Sequence, residues 1–393
     1  MVIASSRQLE QKSPQLALKL YPLNTDALLA WGIETLGGSG GDTSIEAIGS
    51  SARSAIPLNA GDARIYSLVG ETMRRQGQDT AAYAMFDHAL LLAKTEIHAL
   101  QWSIQRAVQK RDYREVTNRL DVLFRRWPER IAPLAEALPA VYSNADGYSA
   151  LLSQLGDNPP WRERLIAALT ADTAKDLGFA QRLVQDMAVG RSPSTATETA
   201  EVLAALFKRE QYNEAYRTFL LTLTPAEREL SGFVFDGTFQ QGPSARIFDW
   251  SVRQQPGVTT SLPQKADTYP GQPGNGLLLE FNNTPVLNVG VSQYLLLPPG
   301  GYSIALHASA FAAKLPKGLV WTIACRGPSK QVLNLDVPEG DYKDRAVDAW
   351  FSVPGDCPIQ VLRLRTNAIA ESWSERYSGR VLIHALRISA VQS

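Results

Sequence analysis

The aromatic side chains in the last third of the chain hold the clearest opportunity for ligand chemistry. Trp373 and Tyr377 stand close to Glu371, Glu375 and Arg376. Tyr269 lies in a Pro- and Gly-rich stretch, and Tyr342 has Asp341 and Arg345 nearby. A ring face left open beside hydrogen-bonding groups can stack on a flat apolar ligand surface while its polar neighbours fix orientation. Trp373, Tyr377, Tyr269, Tyr342 and Arg345 are therefore the candidate binding residues. Trp250, Trp321 and Trp350 fall inside strand patterns and are expected in a core.

Covalent chemistry finds less support. Glycoside hydrolysis needs two carboxylates held across a cleft, yet Glu280, Glu339, Glu371 and Glu375 fall mainly at strand ends and turns, where charge is expected anyway. No Gly-x-Ser-x-Gly elbow occurs, and His307 and His384 lack a nearby serine or cysteine signature. The run from Gly37 to Ser44 looks like a phosphate-cradling loop but has no following lysine and no preceding strand. It reads as an inter-helix turn with Asp42 as N-cap. His88 and His98 lie on separate helices and are expected to be surface or groove residues. The expectation is a non-catalytic binding or scaffold protein with no cofactor.

The two cysteines, Cys325 and Cys357, have a spacing that fits no metal site. They are either unrelated buried thiols or a disulfide, and the disulfide is the favoured reading. It would close a loop of about 33 residues, worth roughly 3–4 kcal/mol, and imply an oxidising compartment. The first residues, Met1 to Arg7, lack the charged start and apolar stretch of a secretory signal. The chain is thus expected either in the cytoplasm or in the periplasm or envelope behind a removed signal or anchor.

The elements that must position these residues change character at Ser231. Before it, alanine, leucine and long charged side chains recur at helical spacing; after it come short alternating runs punctuated by proline and glycine. The last 163 residues hold 28 Gly plus Pro against 23 in the first 230, so two modules are expected, residues 1–230 and 231–393. A net charge of zero, split as roughly −2 and +2 between the halves, offers no footprint for nucleic acid. No run of 18 apolar residues exists to span a membrane.

Within the helical half, Tyr66, Val69, Gly70, Met73, Gly77, Ala82, Phe86 and Ala89 alternate small and large positions of a helix–turn–helix unit. A shift of 34 residues gives Leu100, Ser103, Ile104, Ala107, Arg111, Val116, Leu120 and Leu123, ending at Pro128. Looser copies lie around Leu28–Ile56 and Val202–Phe219. A small residue where two helices cross lets the backbones approach, and a large one fills the groove between repeats. These residues resemble tetratricopeptide repeats, most clearly across 63–128, which implies an all-α superhelix and a groove for a protein or peptide partner. Arg111 in place of the turn glycine, and Ser103-Ile104 in place of a Leu-Gly pair, depart from that pattern.

After Ser231, strands are expected at Phe233–Phe235, Ile247–Arg253, Leu277–Asn282, Asn288–Leu296, Tyr302–Phe311, Leu319–Arg326, Ala346–Val353, Gln360–Thr366 and Val381–Val391. With Pro-Gly corners between them they form an all-β sandwich, a jelly roll. The runs Phe235-Asp236-Gly237-Thr238-Phe239-Gln240-Gln241-Gly242, Val291-Ser292-Gln293-Tyr294 and Pro298-Pro299-Gly300-Gly301-Tyr302 resemble jelly-roll carbohydrate-binding modules. The resemblance implies that the aromatic candidates would stack on sugar rings and that the sandwich contacts polysaccharide. Such modules often hold calcium; here Gln240 and His384 stand at the positions of its two carboxylates, so no metal is expected there. The pairing of degenerate repeats with this sandwich also resembles envelope proteins associated with exopolysaccharide production.

Overall fold

The computed structural model describes residues 2–37, 42–262, 276–327, 330–366 and 375–391. Helices occupy the chain as far as Glu229, and strands follow from Ser251 to Ala390. Contacts divide the chain at a different place, into compact units Met1–Leu165 and Ile166–Ser393. The helices between residues 178 and 229 therefore belong with the strands.

In the first unit helices pair in sequence order. Ala63–Arg75 packs on Asp79–Leu92, and Ile97–Gln109 on Tyr113–Arg126; both members of the second pair start 34 residues after those of the first. Asp62, Glu96 and Asp112 cap three of these helices by accepting backbone N–H groups of the first turn. Gly70 marks the crossing of the first pair, since a Cβ there would stand 2.7 Å from the buried ring of Phe86.

The links between paired helices repeat as well. Gln78 N–H donates to Met73 O at 2.9 Å and Asp112 N–H to Ala107 O at 2.9 Å; in the second unit Gln211 N–H donates to Leu206 O at 3.0 Å. Each bond spans a residue of positive φ: Gly77 at 76°, Arg111 at 57° and Glu210 at 60°. This is the Schellman ending of a helix, which glycine suits and an L side chain disfavours by about 1–2 kcal/mol. After glycine's own entropic cost of about 0.5–1 kcal/mol, Arg111→Gly is expected to raise stability by roughly 0.5–1 kcal/mol. Urea unfolding of the two forms measures the gain, and a loss would mean that the arginine side chain contributes more than its backbone costs.

Ten strands are present among the described residues: β1 Ser251–Val252, β2 Val258–Ser261, β3 Leu277–Thr284, β4 Val291–Leu295, β5 Gly300–Lys314, β6 Leu319–Cys325, β7 Gln331–Val337, β8 Gly340–Val353, β9 Gln360–Arg365 and β10 Tyr377–Ala390. They form two antiparallel five-stranded sheets, ordered β1-β4-β9-β6-β7 and β2-β3-β10-β5-β8. Inward residues of both sheets enclose one core in which Trp250 and Trp321 lie 5.8 Å apart.

β2 and β7 are additional to the sequence expectation, and Phe233–Phe235 is not a strand. The buried amide of Gln293 explains the second difference. It accepts from Phe235 N–H at 3.1 Å and donates to Phe235 O at 2.9 Å, satisfying the backbone groups a ladder would have used.

Helices Ala196–Lys208 and Tyr212–Leu221 join the sandwich through rings. Phe207 meets Tyr294 at 4.6 Å, Tyr216 meets Phe248 at 5.0 Å and Phe219 meets Phe235 at 5.0 Å. Aromatic contacts of this kind add to area burial, and they place these helices in the second unit.

Candidate functional site

The expected binding residues have different fates. Trp373 and Tyr269 lie outside the described residues. Tyr377 is fully buried, donates its hydroxyl to Gly318 O at 2.9 Å and packs 5.5 Å from Phe281, so it is a core residue and offers no open ring. Burial pushes its phenol up to about 12. Tyr342 is half-buried against the core, with its hydroxyl donating to Pro338 O at 2.9 Å and the Arg345 guanidinium 5.8 Å from its ring centre. The structure thus brings Tyr342 and Arg345 together but leaves the tyrosine partly used by packing. Cys325 and Cys357 form the disulfide.

The aromatic platform is elsewhere. Trp250 and Trp321 are buried as expected, whereas Trp350 is 69% exposed. On β8 the residues Val347, Ala349, Phe351 and Val353 turn inward, so the period of two sends Asp348, Trp350 and Ser352 to the outer face. That alternation is readable in the sequence and places Trp350 in the outward set, against the expectation that a tryptophan inside a strand belongs to the core.

The rungs across this face are settled by register. Trp350 pairs with Ser303, which pairs with Ser389; Asp348 pairs with Ala305, then Arg387; Ala346 pairs with His307, then Ala385. Paired residues in an antiparallel ladder share a face. The outer surface is therefore a shallow floor of serine and alanine, with Trp350 on the edge strand and Asp348, Arg387 and His307 exposed around it. A ring face, small floor residues and both charge types within a few strands are what a sugar chain needs for stacking and hydroxyl hydrogen bonds.

The same sheet contains a serine–histidine contact that the sequence did not signal. Ser309 Oγ lies 2.8 Å from His384 Nε2 and accepts the Asp344 backbone N–H at 2.9 Å. His307 Nδ1 approaches Asp344 Oδ1 at 3.4 Å. Burial holds the His384 pKa below the usual imidazole value, reinforced by His307 and opposed by Asp344. The neutral ring can thus accept the serine proton, but Ser309 is fully buried and offers its oxygen no line of attack. Its position explains it better, because the ladders on both sides of β5 shift register here and the hydroxyl ties β5, β8 and β10 across the fault. The Gln240 amide donates to Thr238 Oγ1 at 2.9 Å. Among the described residues no group of three or more His, Cys, Asp or Glu is placed to hold a metal.

The first unit has a groove of about 1040 Å³ lined by the helices Thr25–Gly37, Ala63–Arg75 and Ile97–Gln109. Its walls include Ile33, 64% exposed, and Trp102, whose ring lies 4.1 Å beneath the Arg74 guanidinium. His98 also lines it, and His88 instead packs 4.4 Å from Tyr66. No described helix is long and apolar enough to cross a membrane.

No family model matches this chain, and no curated protein matches it. Among solved structures it is similar to CBM4, a carbohydrate-binding module, at 13% identity and a TM-score of 0.30, over 40% of this chain and 99% of the module. A second similar structure is TmCBM61 in complex with β-1,4-galactotriose, at 12% identity and a TM-score of 0.28, over 41% and 99% of the two chains. A third is a carbohydrate-binding module from Cellvibrio mixtus lichenase 5A in complex with cellotriose, at 13% identity and a TM-score of 0.23, over 37% and 99%.

Proposed function

We propose that this chain is a non-catalytic binding protein whose β-sandwich contacts polysaccharide while its helices dock a protein partner. The observation that carries the reading is Trp350, a large ring exposed on an edge strand above a floor of small residues and beside Asp348 and Arg387. A tryptophan this exposed leaves most of its ring free to stack on a ligand. The groove of the first unit supports the second half of the reading. Its helices are read here as degenerate tetratricopeptide-like hairpins. The Cys325–Cys357 bond supports an oxidising setting such as the periplasm or envelope. The combination of hairpins and sandwich supports a place in exopolysaccharide or envelope assembly.

Affinity electrophoresis of the full chain through gels containing neutral or acidic polysaccharides tests this. Retardation is expected, and Trp350→Ala should weaken retardation by a neutral polysaccharide about 30-fold, the size of a hot-spot loss near 2 kcal/mol, with an unchanged melting temperature. If no polysaccharide retards the intact chain, the sandwich reading fails and a protein–protein adaptor takes its place.

A further inference from the structure

The outer face of the other sheet carries a second, differently charged site. Along β9, Leu362 and Leu364 are buried while Arg363 and Arg365 point outward, about 6.6 Å apart at the strand repeat. Arg253 follows β1, and its N–H donates to Gly290 O at 2.9 Å, immediately before β4 pairs Val291 with Leu364. The three arginines line one groove of about 900 Å³ together with Ser251, Ser292 and Asn288. Gly290 lies on its floor at φ 78°, and a Cβ there would stand 2.1 Å from Arg253 O, so the floor has no room for a side chain.

Charge in this groove is unbalanced. The fourth arginine of its lining, Arg246, is engaged by Glu227 and Asp249. Among the described residues Asp249 is the only carboxylate in the lining, and it also accepts from Ser244 and from the Trp250 N–H. Arg253 and Arg363 have no carboxylate partner among the described residues, and Arg365 donates to the neutral amide of Gln331 at 2.7 Å. Asp336 stands in register with Arg365 across Val320, and it does not line the groove. Three guanidinium groups gathered without counter-charge repel each other until an anion joins them, and the guanidinium fork matches a carboxylate.

We propose that this groove binds a carboxylate-bearing polysaccharide, a uronate chain. Arg253, Arg363 and Arg365 take its carboxylates, and Ser251, Ser292 and Asn288 take ring hydroxyls. An acidic peptide is the competing occupant, since Ile247, Leu287 and Tyr294 also line the groove; Ser251, Ser292 and Asn288 beside the arginines favour a hydroxyl-rich chain, and the oligoglutamate arm of the test separates the two. The site is on the opposite sheet from Trp350 and does not depend on it.

Calorimetric titration of the full chain with an oligogalacturonate, and with its methyl ester as the uncharged control, tests the assignment. Esterification is expected to weaken binding at least about tenfold, as are Arg363→Gln and Arg365→Gln, each with an unchanged melting temperature. Raising salt to about 0.5 M should weaken the acidic oligosaccharide and leave the ester unaffected. Trp350→Ala should leave uronate binding intact. Absence of uronate binding, equal binding of the ester, insensitivity to both arginine variants, or tighter binding of an oligoglutamate peptide each overturns the assignment. None of these results touches the Trp350 reading, which fails separately if Trp350→Ala leaves retardation by a neutral polysaccharide unchanged.

Discussion

Arg246→Ala is expected to lower the stability of the second unit by about 3 kcal/mol, the lower end of the cost of breaking a buried ion pair. Arg246 is almost completely buried, with its guanidinium on Glu227 and 3.8 Å from Asp249, and its Nε donating to Ser244 Oγ at 2.7 Å. It also lies over the rings of Phe219 and Phe235, 5.2 Å and 5.9 Å from their centres. Alanine would remove the cation and leave two carboxylates partly desolvated. Both keep some partners, Glu227 through the Thr224 N–H at 2.8 Å and Asp249 through Ser244, which is why the lower figure applies.

The pH dependence of that loss separates charge from packing. Burial by itself raises the Glu227 pKa, but the Arg246 hydrogen bond and the Thr224 backbone outweigh it and hold the group below the usual carboxylate value. A carboxylate with a lowered folded pKa contributes stability that is present above its ordinary pKa and lost as pH falls through the folded one. The gap between wild type and Arg246→Ala should therefore be widest at neutral pH and shrink below about pH 4. Denaturant melts at several pH values measure it. A gap that stays constant down to pH 3 would assign the whole effect to lost ring contacts.

The second large effect concerns Cys325 and Cys357. Replacing both with alanine is expected to cost about 3–4 kcal/mol on the chain-entropy account, since the bond joins residues 32 apart. Cys325 ends β6 and pairs with Gln360 at the start of β9, while Cys357 sits in the turn just before it. The Gln360 amide donates to Cys357 O at 2.8 Å and accepts the Leu297 N–H at 2.8 Å, so the bridge is set in a network that also fixes the end of β4. Denatured protein from an oxidising host compartment should contain no titratable thiol. Two thiols in that assay, or a double variant as stable as the wild type, would remove the disulfide from the stability of this domain.

Much of this fold was readable because its core residues obey simple periods. Gly70 and Phe86 meet at the expected crossing, and β4 and the last half of β8 alternate in burial; β7 alternates as well, although it is absent from the sequence expectation. The binding surface was less legible for an equally physical reason. Alternation separates inside from outside only when the polar face is polar, and Trp350 places the largest apolar residue on the outer one. Tyr377 fails in the opposite sense: its flanking charges suggest a loop, yet it opens β10 against Phe281. Arg363 and Arg365 alternate plainly with leucine, but only the fold shows that Arg253 joins them. Ser309 and His384 are 75 residues apart, so only the pairing of β5 with β10 brings them together.

The rings that tie Phe207, Tyr216 and Phe219 to Phe235, Phe248 and Tyr294 change what counts as a separable piece of this chain. A cut at residue 231, where the helices end, would strip three aromatic residues of their cover and hand them to solvent. Evolution faces the same arithmetic as the experimenter: a sandwich shuffled alone to a new host would arrive with an adhesive flank. The transferable cassette is the sandwich with its last helices attached, and any lineage that exchanges this domain is expected to exchange them as a set.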